Sequence, residues 1–263
     1  MEEKKSNIGL WVVIGVLFVA VVGLSFYLGT KFANKEEKPK EETKEETKVE
    51  YESVKLSDDL VTNAKKYIAT TLCGNVIYSF DRTDTTFEKL PEDYKFAVLV
   101  NFYHQEFMQT VENEKGYTLD LDDVKKHFDD ISFIENHKGH YDFAAWPYSM
   151  DFNNGKYVVT GYPTGCIGVT EGYYFQATEA KKSKDEFVLT GIAYYIKSPD
   201  LDDGELHEYM YRSEDDKEPI DKDPSFNEDT MTSNLTTDKY DKYEFVYSFD
   251  GSNVKLKEIK YVK

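Results

Sequence analysis

Arginine is almost missing from this 263-residue chain: of 32 basic residues, only Arg82 and Arg212 carry a guanidinium. Few planar forks are available to grip carboxylates or phosphates. Cysteine is as scarce, with Cys73 and Cys166 alone. Neither follows an apolar run directly, which excludes a lipid-modified N-terminal cysteine. Histidine occurs five times, at 104, 127, 137, 140 and 207, and none falls in a cysteine-peptidase or transpeptidase signature. Positive charge is short overall. The formal net charge is −18, and residues 1–50 balance nine acidic against eight basic side chains, so the rest carries −17. A surface of that sign repels phosphate backbones and anionic lipid headgroups, which argues against nucleic acid as a partner.

One long stretch lacks charge altogether. Ile8–Leu28 is 21 residues without an ionisable side chain. As a helix it measures about 31 Å, the thickness of a bilayer's hydrocarbon core. Trp11 and Tyr27 stand near its ends, where interfacial rings are favoured. The run is longer than a signal peptide's apolar region, and no small-x-small cleavage site follows it. The expectation is a single uncleaved anchor within residues 1–30, with the bulk of the chain on the extracellular side of the cell membrane. Lysine counts oppose that orientation, because Lys4 and Lys5 precede the span while Lys31, Lys35, Lys38 and Lys40 follow it. Residues 31–50, which include KEET twice in succession, hold almost nothing to bury and read as a charged spacer.

Residues 51–263 contain the hydrophobic periodicity. Asp58-Asp59 opens a helix over LVTNAKKYIA. Pro91 opens a longer one, with Phe96, Leu99, Val100, Tyr103 and Phe107 on one stripe. DLDDVKKHFDDI places Leu121, Val124, Phe128 and Ile131 on one face. Beyond Trp146 the period becomes two. YSMDFNNGKYVVTG reads as a hairpin turning at Asn154-Gly155. Residues 172–198 read as two long strands around a lysine-rich turn, and ELHEYMYR pairs back. Residues 242–262 form a hairpin turning near Asp250-Gly251, with a bulge near Lys257-Glu258 to keep Ile259 and Tyr261 in phase. Helices first and antiparallel strands after predict an α+β domain, N-terminal helices on a curved sheet, a plan shared by cystatin-like and NTF2-like cones. Residues 213–241 are acidic and poor in apolar side chains, and read as a mobile insertion.

The anchor exit GTKFANKEE, the Glu/Lys/Thr spacer, SDDLVTNAKKYI, the Cys-Gly dipeptide, the cysteine in a glycine-rich turn and YYFQATEAKKSKDEFVL together resemble a group of single-pass membrane-anchored extracytoplasmic proteins of low-GC, gut-associated Gram-positive bacteria and their mycoplasma relatives. That resemblance implies location at the cell envelope and supplies no catalytic residue.

Candidate chemistry is sparse. His137 and His140 with Asp142 could contribute to a metal site, but no further ligand is indicated. Two acidic stretches miss the calcium-loop pattern: counted from Asp200 the glycine, Gly204, falls one position early, and counted from Asp221 the sixth residue is Phe226. No cofactor is expected. The adjacent aromatics Tyr173-Tyr174 and Tyr194-Tyr195 must send one ring of each pair away from the main core, where with Trp146 they could line a groove for an envelope glycan or a protein partner. Cys73 and Cys166, each beside a glycine, are expected to form a disulfide in an exported domain. Closing a loop of that length contributes roughly 4–5 kcal/mol in the chain-entropy model. The leading expectation is a membrane-tethered extracytoplasmic binding module. The alternative is a cell-envelope hydrolase or transpeptidase using Cys166 or a histidine-containing pocket.

Overall fold

Alternation along the C-terminal half and helical stripes in the N-terminal half meet in a computed structural model that describes residues 49–72, 75–113, 115–143, 147–161, 171–198, 207–222 and 237–263. Ile8–Leu28, Cys73, Trp146 and Cys166 lie outside the described residues. Among the described residues no helix is long and apolar enough to cross a membrane.

Glu50–Lys263 is one compact unit. In chain order its elements are β1 (Glu52–Val54), α1 (Asp59–Lys65), β2 (Thr71–Leu72), β3 (Asn75–Val76), β4 (Thr85–Thr86), a 3-10 turn (Phe87–Lys89), α2 (Glu92–Asn113), β5 (Tyr117–Thr118), α3 (Leu121–His127), α4 (Ser132–Glu135), β6 (His140–Asp142), β7 (Tyr148–Asn153), β8 (Lys156–Gly161), β9 (Gly172–Lys182), β10 (Glu186–Lys197), β11 (Tyr209–Tyr211), β12 (Asp221–Lys222), a second 3-10 turn (Thr237–Lys239), β13 (Asp241–Phe249) and β14 (Val254–Val262). The architecture is α+β with antiparallel pairing in every sheet. The large sheet runs β1-β9-β10-β13-β14-β4, with β11 beside the end of β10 and β12 beside β11. A second sheet, β5-β8-β7-β6, stands apart from it.

Local chemistry explains the ends of these elements. Asp58 and Asp120 cap α1 and α3 by accepting from Leu60 N and Asp122 N. Asn154 and Gly155 both have positive φ, 48° and 79°, as a two-residue hairpin turn between β7 and β8 requires. The stripe on α2 is buried as its spacing predicts, and the helix kinks at Tyr103 (φ −113°, ψ 25°), whose hydroxyl donates to Asp123 Oδ2 at 2.8 Å. The single helix expected through Ile131 is instead two. α3 ends at His127 with Phe128 extended, and the Asp130 carboxylate accepts from Ser132 N at 2.8 Å to start α4. Val124, Phe128 and Ile131 are buried nonetheless.

The C-terminal hairpin carries its bulge where the phase shift places it. Val246 pairs with Glu258 and Tyr247 with Leu256, leaving Lys257 as the extra residue. Tyr243, Phe245 and Tyr247 then face the core together with Leu256 and Ile259. Tyr67 from the segment after α1 is a hub of that core, its ring 4.9 Å from Phe102, 5.6 Å from Tyr247 and 6.2 Å from Phe128. A second, smaller cluster lies on the opposite face of the large sheet: Ile192, Tyr194 and Ile196 of β10 with Met210 and Tyr240. Within the segment 213–241, the described ends are packed. Ile220 donates its amide to Met210 O at 2.7 Å, and Tyr240 donates to Asp221 Oδ2 at 2.5 Å.

Candidate functional site

The aromatic pairs divide between the two faces of the large sheet, as alternation demands. Tyr173 and Tyr195 meet edge to face at 4.9 Å on one side, and Tyr174 and Tyr194 stack at 5.8 Å on the other. Tyr173, Tyr194 and Tyr195 are 5%, 1% and 6% exposed, and only Tyr174 keeps appreciable solvent contact. On the second face Tyr240 packs edge to face against Tyr194 at 5.9 Å, in a cluster with Met210 and Ile220. Lys197 lies over Tyr195 and Tyr211 at 5.7 and 4.8 Å and donates to Glu214 O, so the protein's own ammonium occupies that aromatic corner.

The histidine pair is not brought together for a metal. His137 packs against Tyr141 at 4.4 Å and Phe96 at 5.5 Å, with Nε2 3.3 Å from Glu92 Oε2 but without the alignment of a hydrogen bond. His140 is exposed on β6 with Nδ1 2.8 Å from Asp151 Oδ1 and Nε2 3.0 Å from Asp142 Oδ1. Carboxylate partners at both ring nitrogens favour the protonated imidazole. Among the described residues no group of three or more His, Cys, Asp or Glu is arranged to hold a metal ion. The Asp151 and Asp142 hydrogen bonds raise the His140 pKa above its ordinary value. The stabilising contribution of this raised group is complete below the unfolded-state pKa of about 6.5 and is lost as pH rises through the folded value. An NMR titration of the His140 ring is expected to show a midpoint above 6.5, lowered in Asp151→Asn. A midpoint at or below that value would show that the aspartates do not engage the ring in solution.

Among the described residues, a concavity of about 370 Å³ opens elsewhere. Three segments distant in sequence build it: Thr86–Glu88, His127–Asp130 and Leu256–Glu258, with Tyr67 behind them. Its floor is apolar, since Tyr67, Phe87, Phe128 and Leu256 are buried. Glu88, Asp129 and Lys257 stand exposed at its rim. Each wall is fixed by a specific contact. Buried Lys95 donates to Glu88 O at 2.8 Å and lies 5.7 Å over the Phe87 ring, which anchors the 3-10 turn to α2. The Tyr67 hydroxyl shares its proton between His127 O at 2.6 Å and Val254 O at 2.8 Å, tying the end of α3 to β14. Lys255 bridges Asp129 Oδ1 at 2.8 Å and Lys125 O at 2.9 Å. The His127 ring stacks on Phe102 at 4.1 Å. Burial depresses its pKa, with Asp123 opposing, so the imidazole is neutral at pH 7.

None of the cavity's residues was singled out by motif. Each segment reads as ordinary helix, turn or strand on its own, and the bulge near Lys257 was the available signal. Comparison with protein-family models, curated proteins and solved structures finds no match to this chain.

Proposed function

We propose that the chain is a membrane-tethered extracytoplasmic binding module. Ile8–Leu28 anchors it, residues 31–50 space it from the bilayer, and the helices on a curved antiparallel sheet form a cone of the cystatin-like or NTF2-like plan. Cys73 and Cys166 pair in the oxidising compartment outside the cell. The ligand is an envelope component or partner protein that brings a cationic group together with an apolar one.

The observation that carries this reading is the cavity: an apolar floor of Phe87, Phe128 and Leu256 under a rim bearing Glu88 and Asp129, on a domain with a charge of −17. Such a site desolvates an apolar group and keeps an ammonium or guanidinium in the field of the carboxylates. A hydrolase or transpeptidase is less well supported. His127 is the histidine lining the cavity, and its ring lies flat against Phe102 instead of standing free to exchange protons with a substrate.

Two measurements test the reading. Proteinase added to intact protoplasts is expected to remove residues 51–263, and a fully protected domain would overturn the location. N-acetyl-lysine amide added to the full chain in nanodiscs is expected to slow amide exchange at Glu88 and Asp129 more than elsewhere. No change there would overturn the assignment of the cavity.

A further inference from the structure

Among the described residues, one edge of the large sheet has no strand beside it inside the cavity. β14 has β13 on one side, while on the other β4 covers only Glu258 and Ile259. Two hydrogen bonds fix which way the backbone faces before that point. Phe249 N–H donates to Asp185 O at 2.9 Å, away from β14. Its partner Val254 turns its carbonyl the other way, to the Tyr67 hydroxyl at 2.8 Å. Backbone groups in an antiparallel ladder alternate direction from one residue to the next. Lys255 therefore faces β13, and the next outward N–H and C=O belong to Leu256, which lines the cavity. β4 would reach Leu256 if it continued, but the chain coils at Phe87 into the 3-10 turn, and Lys257 bulges on the opposite strand.

We propose that this edge takes an extended peptide segment that alternates apolar and basic side chains, adding to β14 opposite Leu256. The inference rests on the cavity being the ligand site. Strand addition draws affinity from main-chain hydrogen bonds and selectivity from the pockets that receive alternate side chains. Here Leu256 supplies one donor and one acceptor, and the floor of Phe87 and Phe128 receives an apolar side chain. The charge at the rim sets the sign of its neighbours. Asp130 is engaged in capping Ser132, Glu258 pairs with Lys260 at 3.2 Å, and Asp129 pairs with Lys255. Glu88 enters no ion pair among the described residues and is the principal contact for an incoming cation. The bulged Lys257 keeps the exposed edge from open-ended pairing with another sheet and disfavours a basic residue directly beside it.

The test uses the full chain in zwitterionic nanodiscs and a fluorescent octapeptide of alternating valine and lysine. Two further peptides carry N-methyl groups on all valine amides or on all lysine amides. In a strand only one of these sets faces the sheet, so one methylated peptide is expected to bind at least roughly tenfold more weakly and the other about as well as the parent. The parent is expected to slow exchange at Leu256, whose N–H faces the cavity, and Glu88→Gln to weaken binding several-fold. Equal binding by all three peptides, with protection at Glu88 and Asp129 alone, would overturn strand addition while leaving the cavity as a cation site. Binding by neither the peptides nor N-acetyl-lysine amide would overturn both.

Discussion

Gly191→Ala is expected to destabilise the domain by about 3 kcal/mol or more, at the upper end for a single added methyl in a packed interior. A β-carbon at Gly191 would lie 2.2 Å from Gln176 O, 2.4 Å from Phe175 Cζ and 2.9 Å from Gln176 C. Two of those three atoms are backbone in the paired strand β9, so no rotamer change relieves the contact. The position is also where the β9–β10 register shifts, between Thr190 and Gly191. Strand separation there is set by the bulge, and pushing the strands apart disturbs the longest pairing in the sheet. Gly161→Ala supplies the control. Its β-carbon would meet Val111 Cγ2 at 2.3 Å, Thr110 Oγ1 at 2.7 Å and Tyr148 Cδ1 at 3.2 Å, all side-chain atoms and none of them backbone. Thermal melting should place Gly191→Ala roughly 6–12 °C below the parent for a domain of this size, with Gly161→Ala between them. Equal melting of the two variants would mean that the sheet yields at the bulge as easily as a side chain turns.

The elements that were legible in the sequence share one property: their signal is local. The stripe on α2, the Asn154-Gly155 turn and the alternation of Tyr243, Phe245 and Tyr247 each lie within a few residues, and the period alone assigns the face. The bulge at Lys257 was legible for the same reason, because Val254 and Leu256 are out of phase with Ile259. Division of Tyr173 from Tyr174 and of Tyr194 from Tyr195 followed from the pleat. What lies over the second face did not. Met210, Ile220 and Tyr240 come from flanks of an acidic segment whose composition gives no hint of packing. The cavity was hidden more completely. Phe87, Phe128 and Leu256 each look like ordinary core residues, and only tertiary pairing sets them around one space. Even the helix break that shapes its wall depends on competition between continuing α3 and letting the Asp130 carboxylate take the Ser132 amide, which hydrophobic phase cannot decide.

A steep loss of structure above pH 11 is the second large effect expected. Burial raises the pKa of Tyr67, Tyr94, Tyr194 and Tyr247 well above the ordinary phenol range, and pushes Tyr78 up to about 12. The physical cause is common to all. A phenolate formed in this core would lose its hydration. Tyr94 donates to Tyr67 O, and Tyr247 donates to Ala64 O at 2.9 Å. For an acid whose folded pKa is raised, the stabilising contribution is complete below the unfolded value of about 10 and is lost as pH rises toward the folded one. Each such group costs about 1.4 kcal/mol per pH unit in that window. Four acting together approach about 5 kcal/mol per unit, enough to exhaust a typical domain stability of about 5–15 kcal/mol within one to three units. The buried phenols should therefore ionise in one cooperative step that coincides with loss of far-ultraviolet circular dichroism. A gradual rise of phenolate absorbance centred near pH 10, with the dichroism unchanged, would show that these rings reach solvent without unfolding. Tyr247→Phe separates the two contributions. It removes one of the protons released, which makes the alkaline transition shallower, and it takes one of two donors from the Ala64 carbonyl, which keeps the Tyr67 N–H at 3.1 Å, so stability at neutral pH falls by about 1 kcal/mol.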